Sequence, residues 1–272
     1  MKKDHTVTLT ALAGGAAAFA LRFAQVRTDF EQDTGLPVPG NFFAAALPAV
    51  FAVLAAALVL LTWRLPAETG DTPRAFSGYF SAEKPAVLSL LVAGAFLWGV
   101  SGGADILSAL SGASGGEAAA TALPLAAAPQ LNLLRGGLTM ASAGALFFLC
   151  RVCRRGEAQE AAHPALSGNL LLAAVGCLLV RLVLVYREDS VEPALASYYV
   201  EILALVFLIL ALYRASSFAF HCGQTRRFSL YASCALVLCA AALADRNSLA
   251  EAALYLGGVL LMSGFLLMRS DA

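Results

Sequence analysis

The chain has 272 residues, of which 60% are hydrophobic and 13% are charged, and its mean hydropathy is +0.76. A soluble domain carries about 25% charged residues, so this chain has too few charges to cover a water-facing surface. The formal net charge is zero, which gives no reason to expect a nucleic-acid partner. These values exclude an ordinary soluble domain and predict an all-α, polytopic transmembrane helical bundle in contact with the lipid bilayer.

Eight apolar segments are long enough to cross a bilayer core of about 30 Å. In chain order they cover residues 6–26, 42–63, 85–110, 131–150, 166–186, 194–213, 228–244 and 249–268. The start "MKKDHTVTLTALAGGAAAFA" also has the basic and apolar regions of a secretory signal. No polar region precedes a plausible cleavage site, so we predict that the first span is retained.

Lysine and arginine in the short loops predict how the spans are oriented. Twelve of these residues lie on one side: Lys2, Lys3, Arg64, Arg74, Lys84, Arg151, Arg154, Arg155, Arg214, Arg226, Arg227 and Arg269. Three lie on the other side: Arg27, Arg187 and Arg246. This bias predicts a multi-pass protein of a cytoplasmic membrane with both termini in the cytoplasm.

The order of features along the chain is similar in its two halves. Spans one and five each end with arginines ahead of an acidic loop, and spans three and seven each end in an aspartate, Asp105 and Asp245. Units 1–155 and 156–272 would each hold four spans and share one orientation, as in transporters with parallel repeats. The alternative is chance, because apolar helices align easily.

Ionisable residues inside the spans concentrate in the half of the membrane that the charge count predicts to be outer. The set that we select as candidate ligand-binding residues is Arg22, Asp105, Arg135, Arg181, Glu201 and Glu251, together with Tyr198. A charge at the bilayer centre costs at least about 2.5–3.5 kcal/mol on insertion scales, so these side chains need partners or water.

Helical spacing groups further polar residues with the charged ones. Ser101 and Asp105 are four apart, as are Arg135 and Thr139, so each pair shares one side of its helix. Such stripes on several helices predict a shared polar interior that is open toward the outside. Two alternatives remain: the arginines extend separately to the headgroups, or acidic and basic groups pair as internal links between helices.

Arginine binds a carboxylate or phosphate with two parallel hydrogen bonds. The cluster therefore favours transport or binding of a small anionic or zwitterionic solute. A receptor or sensor would need a cytoplasmic protein partner at "CRVCRRGEAQEAAH", residues 150–163. A structural subunit of a membrane complex is a further alternative.

The sequence does not bring together a set of residues that would support catalysis. His5, His163 and His221 are all predicted to be cytoplasmic, away from the acidic residues, so we predict no catalytic residues. Cys150 and Cys153 have the spacing of a redox or metal motif but lack a second cysteine pair. We therefore predict no metal site and no cofactor.

The loop "TDFEQDTGLPVPG" at residues 28–40 follows arginines at the end of the first span. About 20 residues around Arg22–Gly40 resemble a group of uncharacterised multi-span membrane proteins of anaerobic Gram-positive bacteria. That group has no established activity, so the resemblance implies only the setting, which is the cytoplasmic membrane of a bacterium.

Overall fold

The computed structural model describes residues 2–28, 42–65, 76–80, 85–114, 129–155, 165–189, 195–245 and 247–271. This part of the chain forms helices α1 (Lys2–Thr28), α2 (Phe42–Trp63), α3 (Phe76–Tyr79), α4 (Pro85–Ser114), α5 (Pro129–Arg155), α6 (Leu166–Asp189), α7 (Leu195–Ala219), α8 (Thr225–Ala242) and α9 (Leu249–Asp271). Residues 29–40 of the acidic loop lie outside the described residues.

Seven of the described helices are long and apolar enough to cross a membrane: α1, α2, α4, α5, α6, α7 and α9. The prediction of an all-α, polytopic membrane bundle is therefore confirmed. The long helices begin and end close to the predicted span limits, because apolar runs of this length must be helical to satisfy their backbone groups in lipid. The repeat units 1–155 and 156–272 stay a prediction.

Helix α8 corresponds to the seventh predicted span, 228–244, but is not among those seven helices. Its first turn carries Arg226 and Arg227, and the helix packs among α1, α2, α7 and α9. It nevertheless runs between the two ends of the bundle. At its start Thr225 accepts a 2.7 Å hydrogen bond from Arg269, and beyond its end Asp245 meets Arg22. Neighbouring helices surround α8, so it needs less apolar surface than a lipid-facing span.

Helices α4 to α9 form a closed ring in chain order, in which each helix packs against the next and α9 packs against α4. Helices α1 and α2 lie outside this six-helix ring and pack against α8. The ring encloses an interior to which α4, α5, α6, α7 and α9 all contribute polar side chains. The fold thus positions residues from distant parts of the sequence around one centre.

Glycine pairs bring α4 close to both of its neighbours. A Cβ atom on Gly102 would stand 2.8 Å from the Gly136 carbonyl oxygen of α5, and one on Gly94 would stand 2.9 Å from that of Gly257 in α9. Close approach through small residues is a common way for membrane helices to associate, since backbones then contact directly. Near Gly102 and Gly136, the two helices are close enough for Asp105 of α4 to pair with Arg135 of α5.

The two ends of the bundle differ in chemistry. We call the end that holds Arg22, Asp105, Arg135 and Arg181 the arginine end; the charge count predicts that it faces outward. The opposite end holds a cluster of buried aromatic rings, Phe76, Phe80, Phe218, Phe228 and Phe265, and we call it the aromatic end. The short helix α3, which the sequence did not predict, supplies Phe76, and Phe80 directly follows this helix.

Candidate functional site

Three helices of the ring join at one buried carboxylate. Asp105 of α4 accepts a 3.0 Å hydrogen bond at Oδ1 from Arg135 Nη2 of α5, and another of 3.0 Å at Oδ2 from Arg181 Nη1 of α6. The side chains of Asp105 and Arg181 are both 2% exposed, and that of Arg135 is 12% exposed. Because one carboxylate faces two guanidinium groups, this triad carries a net positive charge.

Local sequence explains how these side chains meet. Arg135 and Thr139 are one turn apart on α5, and Thr139 Oγ1 accepts a 3.2 Å hydrogen bond from Arg181 Nη1 while donating to the Arg135 carbonyl oxygen at 2.8 Å. Ser101 lies one turn from Asp105 on the same face of α4 and is fully buried. Polar groups therefore line the inner faces of α4 and α5.

One edge of the Arg181 guanidinium is unused by the protein. Both protein hydrogen bonds of this side chain start from Nη1, and no described atom accepts from Nε or Nη2. The hydroxyl of Ser101 is also buried without a described partner. Nε and Nη2 together form the edge of arginine that binds both oxygens of a carboxylate or phosphate. This edge is the main chemical feature of the interior.

A second acidic group lies on α7, the next helix of the ring after α6. Glu201 of α7 accepts a 2.5 Å hydrogen bond at Oε1 from the hydroxyl of Tyr255 in α9. Arg181 and Glu251 are also close enough to Tyr255 to interact with it electrostatically. Tyr255 therefore connects the carboxylate of Glu201 with the neighbourhood of the triad.

Glu251 has a local role that the sequence analysis did not assign. Its Oε2 accepts a 2.8 Å hydrogen bond from the backbone N–H of Ser248, and its own N–H donates to Ser248 Oγ at 3.3 Å. This reciprocal pair is a capping box, which satisfies backbone donors at the start of a helix. Glu251 thus caps α9 at the rim of the arginine end.

Arg22 belongs to a separate ion pair. Its Nε donates to Asp245 Oδ1 at 2.6 Å, and its Nη1 donates to Gln25 Oε1 at 2.7 Å. The guanidinium carbon also lies 5.6 Å from the centre of the Tyr199 ring. Arg22 is 1% exposed, so its long side chain is held inside the protein and links α1 to the turn after α8.

Burial and the charge of Arg22 shift the pKa of Asp245 in opposite directions. Its burial raises the pKa to about 6, although the nearby Arg22 guanidinium favours the charged form and opposes the shift. The short ion pair alone would lower the pKa, but removal of the carboxylate from water outweighs that attraction here. The pair is therefore charged on both sides above about pH 6, and it weakens as the pH falls below that value.

The structure brings most of the predicted site residues into two groups. Asp105, Arg135 and Arg181 form the triad, with Glu201 on the adjacent helix α7, whereas Arg22 pairs with Asp245. The prediction had no role for Asp245, which only the tertiary structure places beside Arg22. It also selected Tyr198, whose side chain lies outside the described residues, whereas the adjacent Tyr199 faces Arg22.

Arg22 and Arg181 face the protein interior, so the alternative in which they reach headgroups separately does not describe these two side chains. Acidic and basic groups pair between helices, as the other alternative proposed. Polar side chains of several helices meet inside the ring, where Asp105 and Arg181 are closed off from solvent. An open, outward-facing cavity stays a prediction, and so does a ligand-binding role for these residues.

No group of three or more His, Cys, Asp or Glu residues able to hold a metal ion occurs in the described ranges. Cys150 and Cys153 are buried near the end of α5, and neither forms a disulfide within the described residues. Most of the segment predicted to bind a cytoplasmic partner, residues 156–163, lies outside the described residues.

Comparison with known proteins adds no family to this description. No family model matches the chain, and neither a curated protein nor a solved structure matches it.

Proposed function

We propose that this multi-pass membrane protein transports a small solute that carries a carboxylate or phosphate group, and that Arg181 binds this anionic group. In this proposal the protein lies in a bacterial cytoplasmic membrane, the arginine end faces outward, and both termini are cytoplasmic. The proposal includes zwitterions, whose positive group would contact Glu201.

The observation that carries the proposal is the unused edge of Arg181. A buried donor without an acceptor costs about 1–3 kcal/mol, and more when the donor is charged. Nε and Nη2 are two such donors on one buried guanidinium. A carboxylate or phosphate would satisfy both donors at once, because its oxygens match the spacing of the arginine edge.

The charge of the surrounding residues also favours an anionic ligand. Asp105 accepts hydrogen bonds from both Arg135 and Arg181. The Arg181 guanidinium would attract a negative charge at its unused edge and repel a free cation. In this proposal a ligand ammonium group contacts Glu201 of α7, which accepts a hydrogen bond from Tyr255.

The position of the triad favours transport of a ligand over catalysis of its chemical conversion. It lies within a closed ring of six helices, five of which are long and apolar enough to cross the membrane. Because Arg181 is 2% exposed, a solute must reach it through a state in which the arginine end has opened. Alternation between closed and open states around an interior site is how secondary transporters work.

Binding is tested on the full-length protein purified in detergent. Thermal unfolding is followed with a panel of short carboxylates, inorganic phosphate and amino acids, and with uncharged amides as matched compounds. We expect one anionic or zwitterionic class to raise the unfolding temperature, whereas its amides do not. Arg181→Lys keeps a charge near Asp105 but loses the two-donor edge, so we expect at least tenfold weaker binding.

Arg187→Lys, on the exposed face of the same helix, is the matched control and should bind as the wild type does. If no compound of the panel binds, or if Arg181→Lys binds as tightly as the wild type, the proposed site is wrong. Uptake of the binding compound into proteoliposomes then separates transport from binding alone.

The ion pairs support a second candidate, a structural subunit of a membrane complex. Asp105 links three helices, and Arg22 joins α1 to the turn after α8. In that case Arg181→Lys would lower the unfolding temperature, and no compound of the panel would change it.

A further inference from the structure

A groove on the outside of the bundle lies between α4 and α5 near the aromatic end. It encloses about 550 Å³ and is lined by Leu88, Val92, Phe147, Cys150, Arg151 and Arg154. None of these residues belongs to the triad or to the Arg22 pair. The groove is therefore a separate feature on the opposite half of the protein.

The lining changes from apolar to basic along the groove. Helix α5 runs from Arg135 at the arginine end toward Arg155 at the aromatic end, so Phe147 lies deeper in the membrane half than Arg154. Phe147, Arg151 and Arg154 are spaced at i, i+4 and i+7 and so share one face of the helix. The groove thus has an apolar inner part and a basic mouth.

The two arginines at the mouth differ from those in the interior. Arg22, Arg135 and Arg181 each pair with a carboxylate, whereas Arg151 and Arg154 make no ion pair within the part of the chain that the structure describes. Both are exposed. Their guanidinium donors are available to an external anion at the level where the charge count predicts the cytoplasmic headgroups.

We propose that this groove binds one anionic phospholipid of the cytoplasmic leaflet. Arg151 and Arg154 hold the phosphate of the headgroup, and an acyl chain lies along Val92 and Phe147. Basic sites between membrane helices on the cytoplasmic side attract anionic lipids, because the leaflet and the arginines have opposite charge. Arginine is suited to the phosphate oxygens because it donates two parallel hydrogen bonds.

The apolar half of the groove favours a lipid over a free anion. Val92 is 38% exposed and Phe147 is 39% exposed, so both present hydrocarbon at the outer surface of the bundle. A soluble phosphate would use only the two arginines and leave this surface uncovered. A phospholipid matches both parts, because its charged group and its chains are arranged in the same order as the lining.

Native mass spectrometry of the full-length protein in detergent tests the proposal with dioleoylphosphatidylglycerol and dioleoylphosphatidylcholine. We expect one phosphatidylglycerol to bind at least tenfold more tightly than phosphatidylcholine. The double substitution Arg151→Gln and Arg154→Gln should weaken phosphatidylglycerol binding by about thirtyfold, since each basic residue near an anionic surface contributes roughly fivefold. Arg64→Gln with Arg227→Gln removes two exposed arginines elsewhere at the same end and should leave binding unchanged.

A second substitution tests the apolar half independently of charge. Val92→Trp fills the groove and should weaken phosphatidylglycerol binding at least fivefold, whereas Val59→Trp, at a similarly exposed position on α2, should not. Unfolding temperatures show whether each variant is folded. Equal binding of both lipids, unchanged binding in the Arg151/Arg154 variant, or full competition by glycerol 3-phosphate at the lipid's own concentration would each overturn the proposal.

Discussion

The two ends of the bundle are closed by different interactions. At the aromatic end, Phe80 is fully buried and its ring lies 4.7 Å from that of Phe76 and 5.3 Å from those of Phe218 and Phe228. At the arginine end, Asp105 binds two arginines from neighbouring helices. The aromatic end is therefore held by packed aromatic rings, and the arginine end by two ion pairs that share the Asp105 carboxylate.

This difference indicates which end is able to change state. Ring packing offers no alternative partner, so opening the aromatic end would expose apolar surface at a cost of about 25 cal/mol per Å². At the arginine end, an arginine can exchange its carboxylate partner for another anion without exposing apolar surface. A ligand carboxylate that meets Arg181 would be such a substitute, so opening is expected at the arginine end.

The largest loss of stability is expected when the carboxylate of Asp105, which Arg135 and Arg181 share, is removed. Asp105→Asn removes the carboxylate that pairs with the buried Arg181, and removing one partner of a buried ion pair typically costs about 3–5 kcal/mol. We expect the free energy of unfolding in detergent to fall by about that amount. Ser108→Ala, one turn away on the exposed face of α4, should change it by less than about 0.5 kcal/mol. If both substitutions have equally small effects, the triad does not stabilise the arginine end.

A loss of stability of similar size is expected at the aromatic end. Phe80→Ala removes the ring at the centre of the aromatic cluster and leaves a cavity, and a buried Phe→Ala change costs about 3–5 kcal/mol. Anion binding at the distant arginine end should be unaffected, because the two sites share no residues. Phe96, which is 60% exposed on α4, provides the control substitution Phe96→Ala. Equal losses from Phe80→Ala and Phe96→Ala would mean that the cluster does not close this end.

The pH dependence of stability tests the Arg22 pair. Asp245 has a pKa of about 6 in the folded protein and an ordinary value of 3.8, so the folded state binds this proton more readily than the unfolded state. Stability from this group is therefore greatest below about pH 4 and falls as the pH rises toward 6, by at most about 3 kcal/mol. Above pH 6 the contribution is constant.

Unfolding curves of the wild type and of Asp245→Asn between pH 4 and 8 measure this contribution as a difference. The two proteins should diverge between pH 4 and 6 and run parallel above it. Parallel curves over the whole range would show that burial does not raise the pKa of Asp245.

The smallest effect is expected at the cap of α9. Ser248→Ala removes one half of the capping box with Glu251 and should cost about 1 kcal/mol, as other N-cap losses do. Ser89→Ala, which removes a hydroxyl bonded to a carbonyl in α4, should cost less. A change in solute affinity on Ser248→Ala, at unchanged stability, would assign Glu251 to the binding site instead of the cap.

The fold class and the approximate limits of the helices were predictable from sequence, whereas α3 was not. A long apolar run must be helical in lipid, so hydropathy alone locates most spans. Helix α3 has four residues, and Phe80 directly after it packs against the rings of Phe218, Phe228 and Phe265, which come from α7, α8 and α9. No local pattern encodes contacts at that distance along the chain.

For the candidate site, sequence determined the residue types and their depth, because ionisable groups are rare in apolar spans and helical spacing places neighbours on one face. Only the tertiary structure decided the pairing. It joined Asp105 to Arg135 and Arg181, and assigned Arg22 to Asp245, a residue 223 positions away. The physical reason is that partner choice depends on which helices are adjacent, and glycine contacts such as Gly102 with Gly136 set those adjacencies.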